Sequence, residues 1–173
     1  MDALPVESTY FVRTYTSAAM AADGSAAGSA IIGLFAHEPL SRSLFHTVDC
    51  DEMWHVYGGD PFRLVLLHPD GTSEAVVLGP DLAAGHRVQH LITAGVWQAG
   101  ELVDGGEWAL FGCTVTPEFT TDAFRGGHAA ELLATHPDRR ADIERLCVPA
   151  DQPRGLPADR SSRALGAIPS GVS

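Results

Sequence analysis

From Tyr10 to Val115 the chain alternates short runs of β-branched, aromatic and aliphatic residues with clusters of glycine, proline, aspartate and serine. That spacing predicts strands rather than helices. Strands are expected over residues 10–15, 29–35, 62–68 and 74–79, with Pro69-Asp70-Gly71-Thr72 as turn chemistry between the last two. Arg87-Val88-Gln89-His90-Leu91-Ile92 alternates polar and apolar as a half-buried strand does. Residues 95–102 and 107–115 add two more, split by Asp104-Gly105-Gly106. Residues 44–61 read as a hairpin of two short strands closed by Gly58-Gly59-Asp60-Pro61. About eight or nine short strands at regular intervals are the signature of an all-β sandwich or barrel. Only residues 129–135 and 138–146 carry a helical pattern, interrupted at His136-Pro137, and these two short helices are expected to close one end of the barrel. From Val148 onward Pro149, Pro153, Pro157 and Pro169 stand among Ser, Gly and Arg without periodicity. Residues 1–147 are therefore read as one domain, and 148–173 as a disordered tail.

Composition narrows the classes. At 173 residues and 45% hydrophobic content the chain can bury a core of its own. No apolar run approaches the ~18 residues of a membrane span, and Asp2 stands where a signal peptide carries basic residues, so a cytoplasmic protein is expected. Cys50, Cys113 and Cys147 are odd in number and scattered, which fits neither a disulfide framework nor a CxxC metal knuckle. A formal charge of -11 with no clustered basic surface argues against nucleic acid. The 11 basic residues are all arginine, so lysine-base and Schiff-base chemistry are excluded.

The segment 44–61 concentrates the ionisable groups: His46, the run Asp49-Cys50-Asp51-Glu52, His55 and Tyr57. His46, Glu52 six residues on and Gly59 seven after that resemble the first motif of the cupins, and Thr93-Ala94-Gly95-Val96-Trp97-Gln98 resembles the second. More closely, the chain resembles the small cupins grouped as DUF985, or cupin-5. The matching stretches are Phe45-His46, Asp51 to Pro61, Leu67-His68-Pro69-Asp70-Gly71, Ala94 to Ala99, and Gly112-Cys113-Thr114-Val115-Thr116-Pro117-Glu118-Phe119. The resemblance implies a double-stranded β-helix (jelly roll) followed by two short C-terminal helices. It also implies a small-molecule ligand inside the barrel and a homodimer, and no settled activity. The opening departs from the family: Leu4-Pro5-Val6-Glu7-Ser8-Thr9-Tyr10-Phe11 keeps Glu7 and Tyr10 but loses a pair of glycines. An arginine usual after the phenylalanine is Val12 here, with Arg13 beside it. If that strand lines the pocket, the substrate differs from that of its relatives.

Carried across, the metal places of cupins fall on His46, Val48, Glu52 and Gln98; a valine cannot ligate and an amide ligates weakly. A divalent ion (Zn, Fe, Mn or Ni) held by His46, Glu52 and Gln98, with His55 in reserve, is the second reading, and a non-catalytic ligand-binding cupin is the third. The first is a metal-independent isomerase, epimerase or cyclase acting on a carbonyl-bearing metabolite. In it His46 is the general base, Glu52 orients it, and Tyr57 returns a proton. Gln98 holds the carbonyl, Trp54 and Trp97 shape the walls, and Gln89, Tyr10, Glu7 and His55 are further candidates for ligand contact. Strand alternation sets His55 and Tyr57 on one face and Glu52 on the other.

Overall fold

A computed structural model describes residues 1–4 and 6–157. Its strands are β1 (Asp2–Ala3), β2 (Tyr10–Thr16), β3 (Ser29–Ala36), β4 (Ser43–Val48), β5 (Asp51–Gly59) and β6 (Phe62–Leu67). They continue with β7 (Ser73–Leu78), β8 (Gln89–Ile92), β9 (Trp97–Leu102), β10 (Trp108–Thr116) and β11 (Phe124–Gly126), followed by helices α1 (Ala129–Thr135) and α2 (Arg140–Leu146). A six-stranded sheet, β1-β2-β3-β10-β5-β8, faces a five-stranded sheet, β11-β4-β9-β6-β7, and the strand pairs are antiparallel. This is the jelly-roll architecture, all-β with two short C-terminal helices.

The expected hairpin over 44–61 does not form. β4 belongs to the five-stranded sheet and β5 to the six-stranded one, with only Asp49-Cys50 between them. The crossing is pinned from the other side: Gly95 N–H donates to Val48 O (2.9 Å) and Ala94 N–H to Asp51 Oδ1 (3.0 Å). A chain that changes sheets here sets the two halves of the motif face to face across the interior instead of side by side.

Side-chain alternation sorts the core into layers. Along β6, Leu64 and Leu66 point between the sheets with Phe35, Trp54, Phe62 and Phe111. Val65 and Leu67 point the other way and pack with Phe45, Trp97, Leu132, Ile143 and Leu146. Burial of both faces explains why Phe62–Leu67 is almost continuously apolar. The helices thus cover the outer face of the five-stranded sheet rather than an end of the barrel. They are held there by that apolar layer and by Arg63, which donates to Glu101 (2.8 Å) and Asp142 (2.7 Å). Gly33 is required by packing: a Cβ there would collide with the Phe111 ring. Truncating Leu64 to alanine is expected to cost about 2–5 kcal/mol, read as the shift in a urea unfolding curve, because a fully buried side chain leaves a cavity between rigid sheets.

Residues 148–157 do not form a free tail. Val148 is buried, its N–H donates to Gly127 O (3.0 Å), and Gly126 N–H donates to Arg154 O (2.7 Å). Leu156 packs against the cluster of Val6, Val48 and Phe124. Backbone pairing of this kind leaves no side-chain periodicity, so the proline-rich sequence gives no sign of it. Residues 158–173, the rest of the expected tail, lie outside the described residues. Among the described residues no helix is long and apolar enough to cross a membrane.

Candidate functional site

Between the sheets lies a cavity of ≈ 70 Å³, space for roughly five waters at ~10–15 Å³ each. Thr9, Phe11 and Arg13 face it from β2 and its approach, and Ser43, His46 and Val48 from β4. Glu52 and Trp54 reach it from β5, Cys113 from β10, and Glu7 and Phe124 from the chain segments at its edge. A bulge explains why Ser43 and His46, three residues apart, share the interior: between their pairings with Gly100 and Gln98, β4 carries one more residue than β9.

His46 is the centre of the site. Its ring is buried and stacks on Phe124 with centroids 5.0 Å apart and 18° between planes. Among the described residues its polar contacts are all at Nδ1: Leu44 O at 2.9 Å, Glu7 Oε2 at 3.1 Å and Ser43 Oγ at 3.3 Å. Ser43 itself donates to Glu7 Oε2 (2.8 Å), so its oxygen lone pairs face the ring. A carbonyl and a carboxylate can only accept, which fixes a proton on Nδ1 and makes Nε2 the nitrogen that titrates. Burial opposes the charged ring, but the Glu7 carboxylate, its hydrogen bond and the more distant Glu52 outweigh it, and the imidazolium is raised to about 9. At neutral pH the ring therefore rests protonated.

The partner that orients His46 is Glu7, not Glu52. Glu52 belongs to a second chain of bonds: Trp54 Nε1–H donates to Gln98 Oε1 (2.9 Å), and Gln98 Nε2–H donates to Glu52 Oε2 (2.6 Å). Burial, with the Glu52 carboxylate nearby, lifts the Cys113 thiol well above its usual range. Cys113 is accordingly expected to resist iodoacetamide at pH 8 in the native protein and to react on unfolding, as peptide mapping of the alkylated cysteines would read; alkylation at native rates comparable to the unfolded chain would contradict it.

Several expected site residues stand elsewhere. Tyr57 occupies the bulge where β5 slips against β10, is 56% exposed, and lies over Gly112 on the outer side of the six-stranded sheet. His55 is on that same outer face, where Nδ1 meets Gln89 (3.0 Å) and Nε2 meets Thr114 Oγ1 (3.1 Å). Gln89 is thus also outside. Tyr10 alternates with the inward Phe11 and Arg13 and does not reach the cavity. Trp97 faces the helices, with the Arg125 guanidinium 4.6 Å over its ring. Gln98 is inside, but its amide is committed to Trp54 and Glu52 rather than open to a ligand. Strand parity carried the information for Tyr57 and His55, and it also favoured Arg13 over Val12 as the inward residue. Ser43 and Phe124 had no such signal: a bulge hides one, and the other sits on a three-residue strand.

The donor set does not fit a divalent metal. Val48 fills the place that the resemblance gives to a second imidazole and Gln98 Oε1 already accepts from Trp54, so His46 Nε2 and Glu52 are what remains of the four places. His55, the reserve ligand, is on the opposite face. Among the described residues no group of three or more His, Cys, Asp and Glu is arranged to hold an ion.

A family model described as Cupin superfamily (DUF985) matches residues 1–126. Among solved structures, one from Shewanella oneidensis is 30% identical, with a TM-score of 0.76, covering 84% of this chain and 90% of that one. A hypothetical protein from Leishmania major is 23% identical, with a TM-score of 0.75, covering 86% of this chain and 93% of that one. No curated protein matches the chain.

Proposed function

The chain belongs to the DUF985 family of the cupin superfamily, and on that premise we propose that it is a metal-independent proton-transfer enzyme of the isomerase, epimerase or cyclase kind, acting on a small carbonyl-bearing metabolite. The observation that carries the reading is the held imidazole: Nδ1 is fixed by three oxygen contacts inside a cavity, leaving Nε2 as the titrating nitrogen. A ring protonated at rest starts as the acid, so His46 donates from Nε2 to the carbonyl oxygen of the ligand. That oxygen gains a proton as the adjacent carbon loses one. Glu52, the cavity carboxylate not engaged by the imidazole, is the group assigned to take the carbon-bound proton. Delivery of that proton to the other face, or to the neighbouring carbon, restores Glu52, and return of an enol hydroxyl proton to Nε2 as the carbonyl re-forms restores His46. Glu7 positions His46 and sustains its charge.

The test uses deuterium. Small aldoses, ketoses and 2-keto acids are incubated with the protein in D₂O, and exchange at the carbon next to the carbonyl is followed by NMR. Exchange into at least one compound is expected with the native protein, falling by about 10²–10⁴ in His46→Gln, the usual worth of a positioned acid or base. Exchange that persists in His46→Gln would remove His46 from the mechanism. Ligands bound and returned without any exchange would make the protein a binding cupin instead.

A further inference from the structure

Arg13 is the buried group in the cavity that the proton-transfer chemistry does not use. It is 6% exposed and shares the inward face of β2 with Phe11. Only Nη2 has a full hydrogen bond, to Phe119 O at 3.0 Å. Nε and Nη1, which carry most of the guanidinium's N–H donors, are buried without a hydrogen-bond partner among the described residues. The nearest carboxylate is no substitute. Glu118 Oε2 stands 3.5 Å from Nη1, and its other oxygen already accepts from Ala26 N–H at 2.9 Å. A buried, charged donor left unpaired costs ~1–3 kcal/mol or more, so a structure that retains one has a reason to.

We propose that Arg13 is the anchor for a carboxylate group on the ligand. Along the six-stranded sheet Arg13 pairs with Ile31, Ile31 with Cys113, and Cys113 with Trp54, so Arg13 and the β5 wall are three strand spacings apart. At about 4.8 Å per spacing that is roughly 14 Å. Around Arg13 the walls are Ile31, Val115 and Phe119, with Ser29 as the nearest small polar residue. Glu118 already shares the charge of the guanidinium at 3.5 Å, and what remains unmet is the N–H donors at Nε and Nη1. A phosphate would bring a second charge to be desolvated without a second cation to meet it. A neutral carbonyl would satisfy one donor and leave the rest unpaired. The inference rests on the reading of this cavity as the ligand site, and it names the substrate class as carbonyl compounds that also carry a carboxylate.

The probes are isobutyrate and its neutral isostere isobutyramide, each of a size the cavity admits, with inorganic phosphate as the third. Binding is followed by NMR, including the Arg13 Nε–H signal. Isobutyrate is expected to bind at least about tenfold more tightly than isobutyramide, the margin of a charge-assisted pair, and to shift the Arg13 signal. In Arg13→Met the preference disappears while isobutyramide binding is kept. Should that variant not fold, the native Nε–H signal decides alone. Equal binding of the two isosteres, binding of neither, a response to phosphate only, or an Arg13 signal that isobutyrate leaves unmoved would each overturn the proposal. Isobutyrate has no ketone or aldehyde to react, so binding at Arg13 and deuterium exchange at His46 can succeed or fail independently.

Discussion

Glu7→Gln is expected to lower the His46 imidazolium from about 9 by about 2 units, as loss of a hydrogen-bonded carboxylate does. The amide keeps the shape of the side chain and removes the charge. Burial of the ring, which Glu7 now offsets, is then opposed only by Glu52 and the Leu44 carbonyl. An NMR titration of the ring carbons reads the change directly. The consequence for stability follows from linkage. A histidine whose folded value lies above its unfolded value stabilises the protein fully below pH 6.5 and progressively less as pH rises through about 9. The whole span amounts to roughly 3 kcal/mol. The native protein should therefore lose stability between pH 6 and 9 that Glu7→Gln never had, in paired urea titrations of the two proteins. Comparing them cancels the buried Cys50 thiol, whose raised value acts at the upper end of the same range. Parallel pH curves would show that Glu7 does not sustain the charge on His46.

Gln98→Leu should be among the most damaging single changes in the interior. Leucine nearly fills the space but answers neither neighbour. Glu52 loses a donor at 2.6 Å, and Trp54 Nε1–H loses its acceptor, both between closed sheets. A buried carboxylate and a buried indole N–H left unpaired together are expected to cost about 3–5 kcal/mol. Urea unfolding measures the loss, and near-UV circular dichroism reports whether Trp54 keeps its setting beside Phe111, where the rings stand 4.7 Å apart. A cost below ~1 kcal/mol would mean that water enters and repairs the network. Glutamine at 98 is then a structural link between the two sheets rather than a hand for the ligand, and in the wild type it holds Glu52 in place.

Much of the framework was legible in the residues. The main strands begin and end within a residue or two of where alternation and turn chemistry put them, and α1 spans Ala129–Thr135 as expected. These features are local: a strand's period, a proline stop and a glycine turn are each decided within a few residues. The same locality explains the misses. Nothing in Val48-Asp49-Cys50-Asp51 distinguishes a hairpin turn from a crossing between sheets, because the difference lies in which distant strand each half finds. β1 and β11 are two and three residues long, too short for any period to show.

The site divides along the same line. The sequence reading put His46 and Glu52 in the interior, where the structure has them, and the resemblance put Val48 where a second imidazole would be. Tertiary structure alone decided which carboxylate each group meets. Glu7 lies 39 positions before His46, outside any strand, and reaches Nδ1 only because β2 and β4 come from opposite sheets that close on one cavity. Glu52 is close in sequence to His46 and is nevertheless claimed by Gln98. Hydrogen bonds are fixed to within a few tenths of an ångström, whereas chain proximity fixes position only to within the choice of face and sheet. His46 and Glu52 were therefore readable from the chain as interior residues, and their partnerships were not.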